Sequence, residues 1–451
     1  MSIKTDGREW FHSISPDSLE EDLRLCSGQM QASGVLFEDS REVPFLPLPY
    51  VYSSEKHNEL AKSFELLTRI VNRLPDLYTA EKAVRDYHAL PQSLHGIMPP
   101  PPYRPAVYYC RYDFTFDAKG APRIYEINTA GPAGVVFTHF QRLAFGMTKA
   151  SRELSKILPV RHEDPFYSPR FFAKELIANA SRFFGRRPEG IGLINSKYNT
   201  LNNELSLLEK DFREEKIPVV RGHVEDLSYR PDGTPMLHGI PFDAAYHKFY
   251  PRFNPEFEVP FSRTRAEVAP YIAALSSGKL FGVNSLTSFY GMESKGWLAF
   301  MSDPDNARFF SEAEKELIGK MVPYTRYLRR LSVAELEKIS NNKDNFIIKK
   351  CIETRGTGIF TGKDMPQGEW DAKLKETFSS GEHVVQQFEP PEIFEYPGAS
   401  PFRKGSTVYI NHACYVIQET ARGLITRISS KSVTNVGSGG MILPTVVSDP
   451  R

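Results

Sequence analysis

Two short strand-like runs joined by one turn constrain the fold of this chain more than any other feature. Arg111-Tyr-Asp113 lies in the first run, Glu126-Ile-Asn128 lies in the second, and residues 117–122 between them have the composition of a tight turn. Side chains two residues apart on a strand point to the same face. The sequence therefore predicts a β-hairpin on which three oxygen ligands converge beside the guanidinium of Arg111.

This set of side chains indicates a metal site next to a reacting group. Hard oxygen ligands that leave room for water and phosphate suit Mg²⁺, and a fixed arginine suits the charge that develops in phosphoryl or acyl transfer. An antiparallel sheet with a solvated acidic face would carry similar residues. The segment 128–134 (Asn-Thr-Ala-Gly-Pro-Ala-Gly) favours the site, because a turn-rich exit from a strand lets backbone amides line a pocket.

Composition limits the classes of protein to which the chain could belong. Its 451 residues, 41% hydrophobic and 25% charged, are typical of a globular protein of two or three domains. The net charge of +1 provides no global field for nucleic acid or membranes. The four cysteines are far apart, which argues against a zinc site and a disulfide framework. With a polar N-terminus and no apolar run of ~20 residues, we expect a cytoplasmic protein that binds neither nucleic acid nor membranes.

The middle of the chain alternates between helical and strand-like patterns. Helices are predicted at 171–184 and 202–215, and strands at 190–194, 217–220 and 242–246, with a hairpin turn at 231–234. This order predicts a three-layer α/β unit with a largely parallel sheet, which often binds ligands at the carboxyl ends of its strands. Residues 195–204 are either a ligand loop or a solvated connection. Apolar periodicity predicts further helices at 54–74, 139–158, 266–276, 312–321, 332–339 and 370–378.

The last third contains a pattern typical of nucleotide binding. A strand at 346–349 ends in Lys349 and leads into a glycine-rich turn with Gly356 and Gly358, whose backbone amides could approach phosphate oxygens. A plain glycine-turn hairpin is the alternative. The strand that begins at His383 leads into a loop where the backbone of Gln387 and Phe388 could bond an adenine edge, with Val385 against the ring.

Strands are then predicted at 406–411 and 413–419, followed by two arginines near what would be one cleft. Arg422 and Arg427 could grip a carboxylate or phosphate bidentately, or form surface salt bridges. The polar, glycine-rich loop that contains Asn435 either completes a substrate pocket or is a structural turn.

Together these residues resemble an ATP-grasp enzyme. Lys295 and Lys349 resemble the two lysines of that family, and residues 355–362 resemble its glycine-rich loop. Arg111-Tyr-Asp113 and Glu126-Ile-Asn128-Thr129 resemble the Arg-x-Asp and Glu-x-Asn-Thr strands of D-alanine–D-alanine ligases. The hairpin precedes the glycine loop here, so the order resembles that of circularly permuted, glutathionylspermidine synthetase-like proteins.

The resemblance implies a mixed fold, α+β with an α/β part. It would be a permuted ATP-grasp fold with an inserted three-layer α/β pre-ATP-grasp domain. The expected domains are a helical region plus the metal hairpin at 1–165, the α/β domain at 166–284, and the nucleotide-binding half at 285–451.

The implied function is an ATP- and Mg²⁺-dependent carboxylate–amine ligase that acts through an acyl phosphate. A phosphotransferase acting on a hydroxyl and a non-catalytic nucleotide-binding protein stay open, as do the identity of the acid, the nucleophile, the role of residues 1–100 and the oligomeric state. The expected site residues are catalytic Arg111 and Arg427; nucleotide-binding Lys295, Lys349, Arg355, Gly356, Gly358, Gln386, Gln387 and Phe388; metal-binding Asp113, Glu126 and Asn128; and substrate-binding Arg422, Asn435 and Gly131.

Overall fold

A computed structural model describes most of the chain. The described residues are 14–37, 41–88, 90, 101–134, 136–161, 170–197, 203–248, 268–353, 358–396, 401–403, 405–432, 434, 436 and 439–448. The predicted site residues Arg355, Gly356 and Asn435 lie outside them.

The helices have the following bounds. They are α1 (Pro16–Ala32), α2 (Ser54–Ala80), α3 (Lys82–His88), α4 (Phe137–Gly146), α5 (Lys149–Ile157), α6 (Phe171–Phe184), α7 (Asn203–Glu214), α8 (268–276), α9 (Gly296–Ser302), α10 (Glu312–Met321), α11 (Val333–Asn341) and α12 (Gln367–Ser380).

The strands are distributed along the whole chain. They are β1 (Leu36–Phe37), β2 (Arg41–Glu42), β3 (Tyr50–Ser53), β4 (Tyr109–Phe116), β5 (Pro122–Asn128), β6 (Val160–Arg161), β7 (Ile191–Asn195), β8 (Val219–His223), β9 (Ser228–Tyr229), β10 (Pro235–Leu237), β11 (Ile240–Pro241), β12 (Ala244–His247), β13 (Phe281–Val283), β14 (Thr325–Tyr327), β15 (Phe346–Lys350), β16 (Ile359–Thr361), β17 (His383–Gln387), β18 (Glu392–Glu395), β19 (Thr407–Ile417), β20 (Thr420–Ser429), β21 (Met441–Leu443) and β22 (Thr445–Ser448).

The predicted hairpin is confirmed, and it joins a sheet built mainly from the end of the chain. β4 and β5 are antiparallel, with Arg111 opposite Asn128 and Asp113 opposite Glu126. The sheet has the order β21-β20-β19-β4-β5, and β18 also pairs with β19. One face of this sheet packs against the long helix α2, whose Phe64 and Leu67 are fully buried in the same apolar cluster as Tyr112 and Phe114. The opposite face carries the polar residues of the hairpin.

The predicted parallel sheet is also confirmed. It has the order β13-β12-β7-β8, and all three pairings are parallel. Alternation along β7 sends Ile191 and Leu193 toward α6 and α7, and sends Ile194 toward α8 on the other face. The unit therefore has three layers, with helices covering both faces of the sheet.

A third sheet, β14-β17-β15-β16, is antiparallel throughout. Val385 of β17 and Ile348 of β15 pack on one face against Trp370 of α12. The neighbouring residues Lys349 and Gln386 point to the opposite face, which is the face turned toward the hairpin.

Two element predictions were wrong in detail. The helix expected over 139–158 is two helices. The first ends at Gly146 with Met147 as its C-cap, and Thr148 caps the second by accepting a hydrogen bond from the Ser151 N–H. The two strands expected at 406–411 and 413–419 are one strand, β19. His412, at the expected gap between them, is fully buried and is paired with Phe114 on one side and Thr426 on the other.

Among the described helices, none combines the length and the apolar character that a membrane crossing needs.

The packing of α2 can be tested with a pair of truncations on one helix. Phe64 is fully buried and Leu66 is 39% exposed. Phe64→Ala should lower the free energy of unfolding by about 3–5 kcal/mol, because it leaves a cavity between the helix and the sheet. Leu66→Ala should lower it by only roughly 0.5 kcal/mol. Urea unfolding of both variants measures the difference, and equal losses would contradict this packing.

Candidate functional site

The carboxylate of Asp113 lies between two guanidinium groups on the polar face of the large sheet. Arg111 donates from Nε to Oδ1 at 2.7 Å and from Nη2 to Oδ2 at 3.1 Å, which is a bidentate contact. Arg427, on β20, reaches the same Oδ2 with Nη2 at 3.1 Å. Asp113 lies opposite Ala413 of the intervening strand β19. The small side chain there leaves room for Arg427 to cross the strand.

The charges of this cluster stabilise one another. Burial alone would disfavour the ionised carboxylate of Asp113, but attraction to Arg111 and then Arg427 outweighs burial and lowers the pKa of Asp113. Burial likewise opposes the charge on Arg427, yet the pKa of Arg427 is raised because Asp113 lies beside it. All three groups are therefore ionised at neutral pH.

Lys349 approaches the hairpin from the third sheet. Its Nζ donates to the carbonyl oxygen of Tyr125 at 3.1 Å and to Oε1 of Gln386 at 2.7 Å. Gln386 is itself oriented by a bond from its Nε2 to Oγ1 of Thr325 at 3.1 Å. Burial lowers the pKa of Lys349 to about 7. An anion bound beside this ammonium would favour its charged form.

Lys295 links the hairpin to the start of the glycine-rich turn. Its Nζ lies 2.7 Å from Oε1 of Glu126 and donates to the carbonyl oxygen of Glu353 at 3.1 Å. The side chain is buried just before α9. Burial opposes its charge, but Glu126 more than compensates and raises the pKa of Lys295.

The exit loop of the hairpin, residues 129–134, is held by hydrogen bonds at both ends. Oε2 of the buried Glu293 accepts the N–H groups of Thr129 at 2.5 Å and Ala130 at 2.8 Å. Oε1 of Glu204, on α7, accepts the N–H of Gly134 at 2.9 Å. The carbonyl of Ala133 accepts from Nη1 of Arg111 at 3.2 Å. The hydrogen bond to Ala133 therefore orients the guanidinium of Arg111 and also holds the loop in place.

Gly131 packs where this loop meets the carboxyl end of the parallel sheet. Its φ is +64°, and an added Cβ would lie 3.4 Å from the carbonyl oxygen of His247 and from Cγ of Lys248. Lys248 in turn forms a buried ion pair with Glu204. The positive φ therefore favours glycine at this point of contact between the hairpin exit and the α/β unit.

The donor types at the hairpin fit a magnesium ion in part. Glu126 and Asn128 offer a carboxylate and an amide oxygen on one face, opposite Asp113 and Arg111 respectively. Asp113 is engaged by both arginines, and Glu126 by Lys295. Among the described residues, no group of three or more His, Cys, Asp and Glu side chains is arranged to hold a metal. A bound ion would therefore rely on Asn128, water or phosphate to complete its ligands.

The structure does not bring every predicted residue to this cluster. Arg422, on β20, packs instead against α6: its Nη2 is 3.9 Å from Glu175, and its guanidinium lies over the ring of Phe171. Val385, expected against an adenine ring, is fully buried in the apolar layer under α12 and faces away from the side of the sheet that carries Lys349. Successive side chains on a strand point to opposite faces, so Val385 and its neighbour Gln386 lie on opposite sides of the sheet.

The remaining predicted nucleotide contacts lie at the ends of the third sheet. The N–H groups of Gln387 and Phe388 donate to the carbonyls of Tyr324 and Asn345, each at 2.8 Å, so these two donors are engaged inside the protein. Gly358 has φ +70°, and its carbonyl accepts from the N–H of Lys350 at 3.1 Å, which closes the β15–β16 hairpin.

Two residues of the cluster were missed by sequence reasoning. Glu293 sits two positions before Lys295, but nothing in the sequence signals that it caps another segment. Tyr125 is an unpaired extra residue in β5: Asp113 pairs with Glu126 and Phe114 pairs with Ile124. Such a β-bulge re-aims a side chain, and the apolar pattern of the strand does not reveal it.

Comparison with known proteins identifies no family. No protein-family model matches the chain, and no curated protein matches it. Among solved structures, the crystal structure of D-cycloserine synthetase DcsG is similar at a TM-score of 0.28 and 11% identity, over 49% of this chain and 67% of that one.

The role of Asp113 as the shared counter-charge can be tested by Asp113→Asn. Two guanidinium groups would then face each other without a carboxylate, and the free energy of unfolding should fall by about 3–5 kcal/mol at neutral pH. Because the pKa of Asp113 is lowered on folding, its stabilisation is present above the ordinary aspartate pKa of about 3.9 and is lost as the pH falls through the lower folded value. The difference between wild type and variant should therefore shrink in acid.

Asp86→Asn provides the matched control. Asp86 pairs with Lys82 on the surface, where the two side chains are 57% and 79% exposed, and its loss should change stability by less than about 1 kcal/mol. Urea unfolding between neutral and acidic pH measures both variants. A difference for Asp113→Asn that is small at neutral pH, or independent of pH, would contradict the assigned pairing.

Proposed function

We propose that this protein is an ATP- and Mg²⁺-dependent ligase that joins a carboxylate to an amine through an acyl phosphate. The observation that carries the proposal is the convergence of four cations on one hairpin. Arg111 and Arg427 contact the carboxylate of Asp113, Lys295 contacts that of Glu126, and Lys349 contacts the backbone carbonyl of Tyr125. These cations come from distant parts of the chain and lie within one continuous set of contacts. Such a cluster suits a triphosphate and the anions formed from it.

The proposed reaction has two displacements. A carboxylate oxygen of the substrate attacks the γ-phosphorus of ATP, the bond from that phosphorus to the bridging oxygen breaks, and ADP leaves. The amine then attacks the acyl carbon, loses a proton, and expels inorganic phosphate. Lys295 and Lys349 would bind phosphate oxygens, and Arg111 and Arg427 would stabilise the oxyanion of the tetrahedral centre. Glu126 and Asn128, with Asp113, would hold Mg²⁺, whose chemistry is to neutralise phosphate charge.

We propose that the fold is a circularly permuted ATP-grasp fold, with domain limits near residues 165 and 284. Three features support this. The hairpin of β4 and β5 shares a sheet with β19 and β20, the parallel α/β unit lies between them in sequence, and the lysine of β15 reaches Tyr125 of the hairpin. Small acids and amines are the proposed substrates.

Glu126→Gln tests the metal role. The variant keeps the shape of the side chain but loses the charge that Mg²⁺ and Lys295 require, so Mg²⁺-dependent ADP formation should be abolished while the protein still folds. Glu395→Gln is the control, because Glu395 lies exposed on β18 of the same sheet. ADP release in a screen of amino acids and amines measures activity, and unchanged activity of Glu126→Gln would remove the hairpin as a metal site.

Arg111→Ala tests the oxyanion role. Loss of one such donor typically costs ~2.7–4 kcal/mol of barrier, so turnover should fall ~100- to 1,000-fold. Arg111→Lys should recover part of it, since lysine keeps the charge but not the bidentate contact with Asp113. Near-wild-type turnover of Arg111→Ala would refute this role. Analysis of the product separates the proposal from a phosphotransferase, because a ligase releases phosphate with an amide and a phosphotransferase yields a phosphoester.

A further inference from the structure

The position of Tyr125 results from a β-bulge in the pairing of β4 with β5. As the unpaired residue of the bulge in β5, it leaves the alternation of its neighbours. Ile124 and Ile127 are buried in the apolar cluster under α2. Within the described part of the chain, Tyr125 belongs to none of the apolar clusters. Tyr125 is instead half-buried on the polar face, where it contacts Lys349 and Arg427.

The side chain of Tyr125 joins the two groups of cations. Its hydroxyl accepts a hydrogen bond from Nη2 of Arg427 at 3.4 Å. Its ring lies under the ammonium of Lys349, with Nζ 5.2 Å from the ring centroid, which is within the range of a cation–π contact. Its own carbonyl also accepts from that ammonium. One residue therefore contacts the lysine of β15 and the arginine of β20 together.

The hydroxyl hydrogen of Tyr125 is not used inside the described structure. Arg427 is its one hydrogen-bonding partner among the described residues, and in that bond the tyrosine oxygen is the acceptor. The two other tyrosines near Arg111 differ, because Tyr109 donates to the carbonyl of Pro132 at 2.7 Å and Tyr415 donates to that of Ala133 at 2.6 Å. Tyr125 thus keeps an available donor beside Arg427, on a side chain whose ring also contacts Lys349.

We propose that Tyr125 is a further ligand-contacting residue of this site, whose phenol donates a hydrogen bond to the acyl-phosphate oxygen held by Arg427 and Lys349. This inference rests on the proposed function, because the acyl phosphate that would accept the hydrogen bond is the intermediate of the proposed reaction. The ring has a second role, which is to hold the ammonium of Lys349 in place. Removal of the hydroxyl and removal of the ring should therefore have different effects.

Two substitutions separate these roles. Tyr125→Phe keeps the ring and the backbone carbonyl but removes the donor, so kcat for ADP formation should fall roughly 10- to 100-fold, the usual range for a hydrogen bond to a charged group. Affinity for the β,γ-imido analogue of ATP with Mg²⁺, measured by calorimetry, should change little. Tyr125→Leu also removes the ring, and should weaken the binding of the analogue in addition.

Tyr112→Phe is the matched control on the same hairpin. Its hydroxyl lies 2.8 Å from Oγ1 of Thr68 in the core behind the sheet, so the variant should keep both kcat and the affinity for the analogue. A wild-type kcat in Tyr125→Phe would overturn the donor role. Equal affinity for the analogue in Tyr125→Phe and Tyr125→Leu would overturn the role of the ring.

A measurement without nucleotide distinguishes this inference from the proposed function. The rate at which an acylating reagent labels Lys349, followed by mass spectrometry, should rise in Tyr125→Leu because the ring no longer covers the ammonium, and should stay unchanged in Tyr112→Phe. Absence of binding of the analogue by the wild type would refute the proposed function. Labelling of Lys349 that is the same in Tyr125→Leu and wild type would refute the placement of Tyr125, whatever the nucleotide result.

Discussion

The pairing of one buried carboxylate with two guanidinium groups is the interaction on which the rest of this site depends. Arg111 and Asp113 lie on β4, Arg427 lies on β20, and β19 runs between them. Without Asp113, two like charges would face each other in a largely desolvated space. The carboxylate therefore holds together segments from the front and the rear of the chain, and the small side chain of Ala413 leaves the space that the contact crosses.

The balance of charge around this pairing bears on the proposed binding of an anionic substrate. Four cationic side chains, those of Arg111, Arg427, Lys295 and Lys349, surround the carboxylates of Asp113 and Glu126. Glu293 adds a third carboxylate, but it accepts backbone N–H groups, and burial raises its pKa. With Lys349 charged, the cations outnumber these carboxylates even when Glu293 is ionised; with Lys349 neutral, which its pKa of about 7 allows, the charges balance. Under the proposed function, a bound phosphate would hold Lys349 in its charged form.

The sequence predicted the elements that depend on residues near one another in the chain. It did not predict the features that depend on pairing or packing with distant segments. The hairpin, the helix at 171–184 and the parallel order of β7, β8 and β12 follow from side-chain periodicity and turn composition. The bulge at Tyr125 is set by pairing with β4, and the burial of Lys295 is set by packing against Glu126 and Glu353. Neither leaves a periodic signal. Arg422 and Arg427 look alike in the sequence, yet they contact α6 and the hairpin respectively.

The position of β4 within its sheet also has a consequence for biosynthesis. In the finished protein this strand is bonded on one side to β5 and on the other to β19. β5 follows it at once, whereas β19 begins at Thr407, after residues 129–406 have been synthesised. Until then one hydrogen-bonding edge of β4 has no partner from its own sheet, and such an edge is prone to pair with other chains. A nascent polypeptide with this topology therefore exposes an aggregation-prone edge until β19 has left the ribosome.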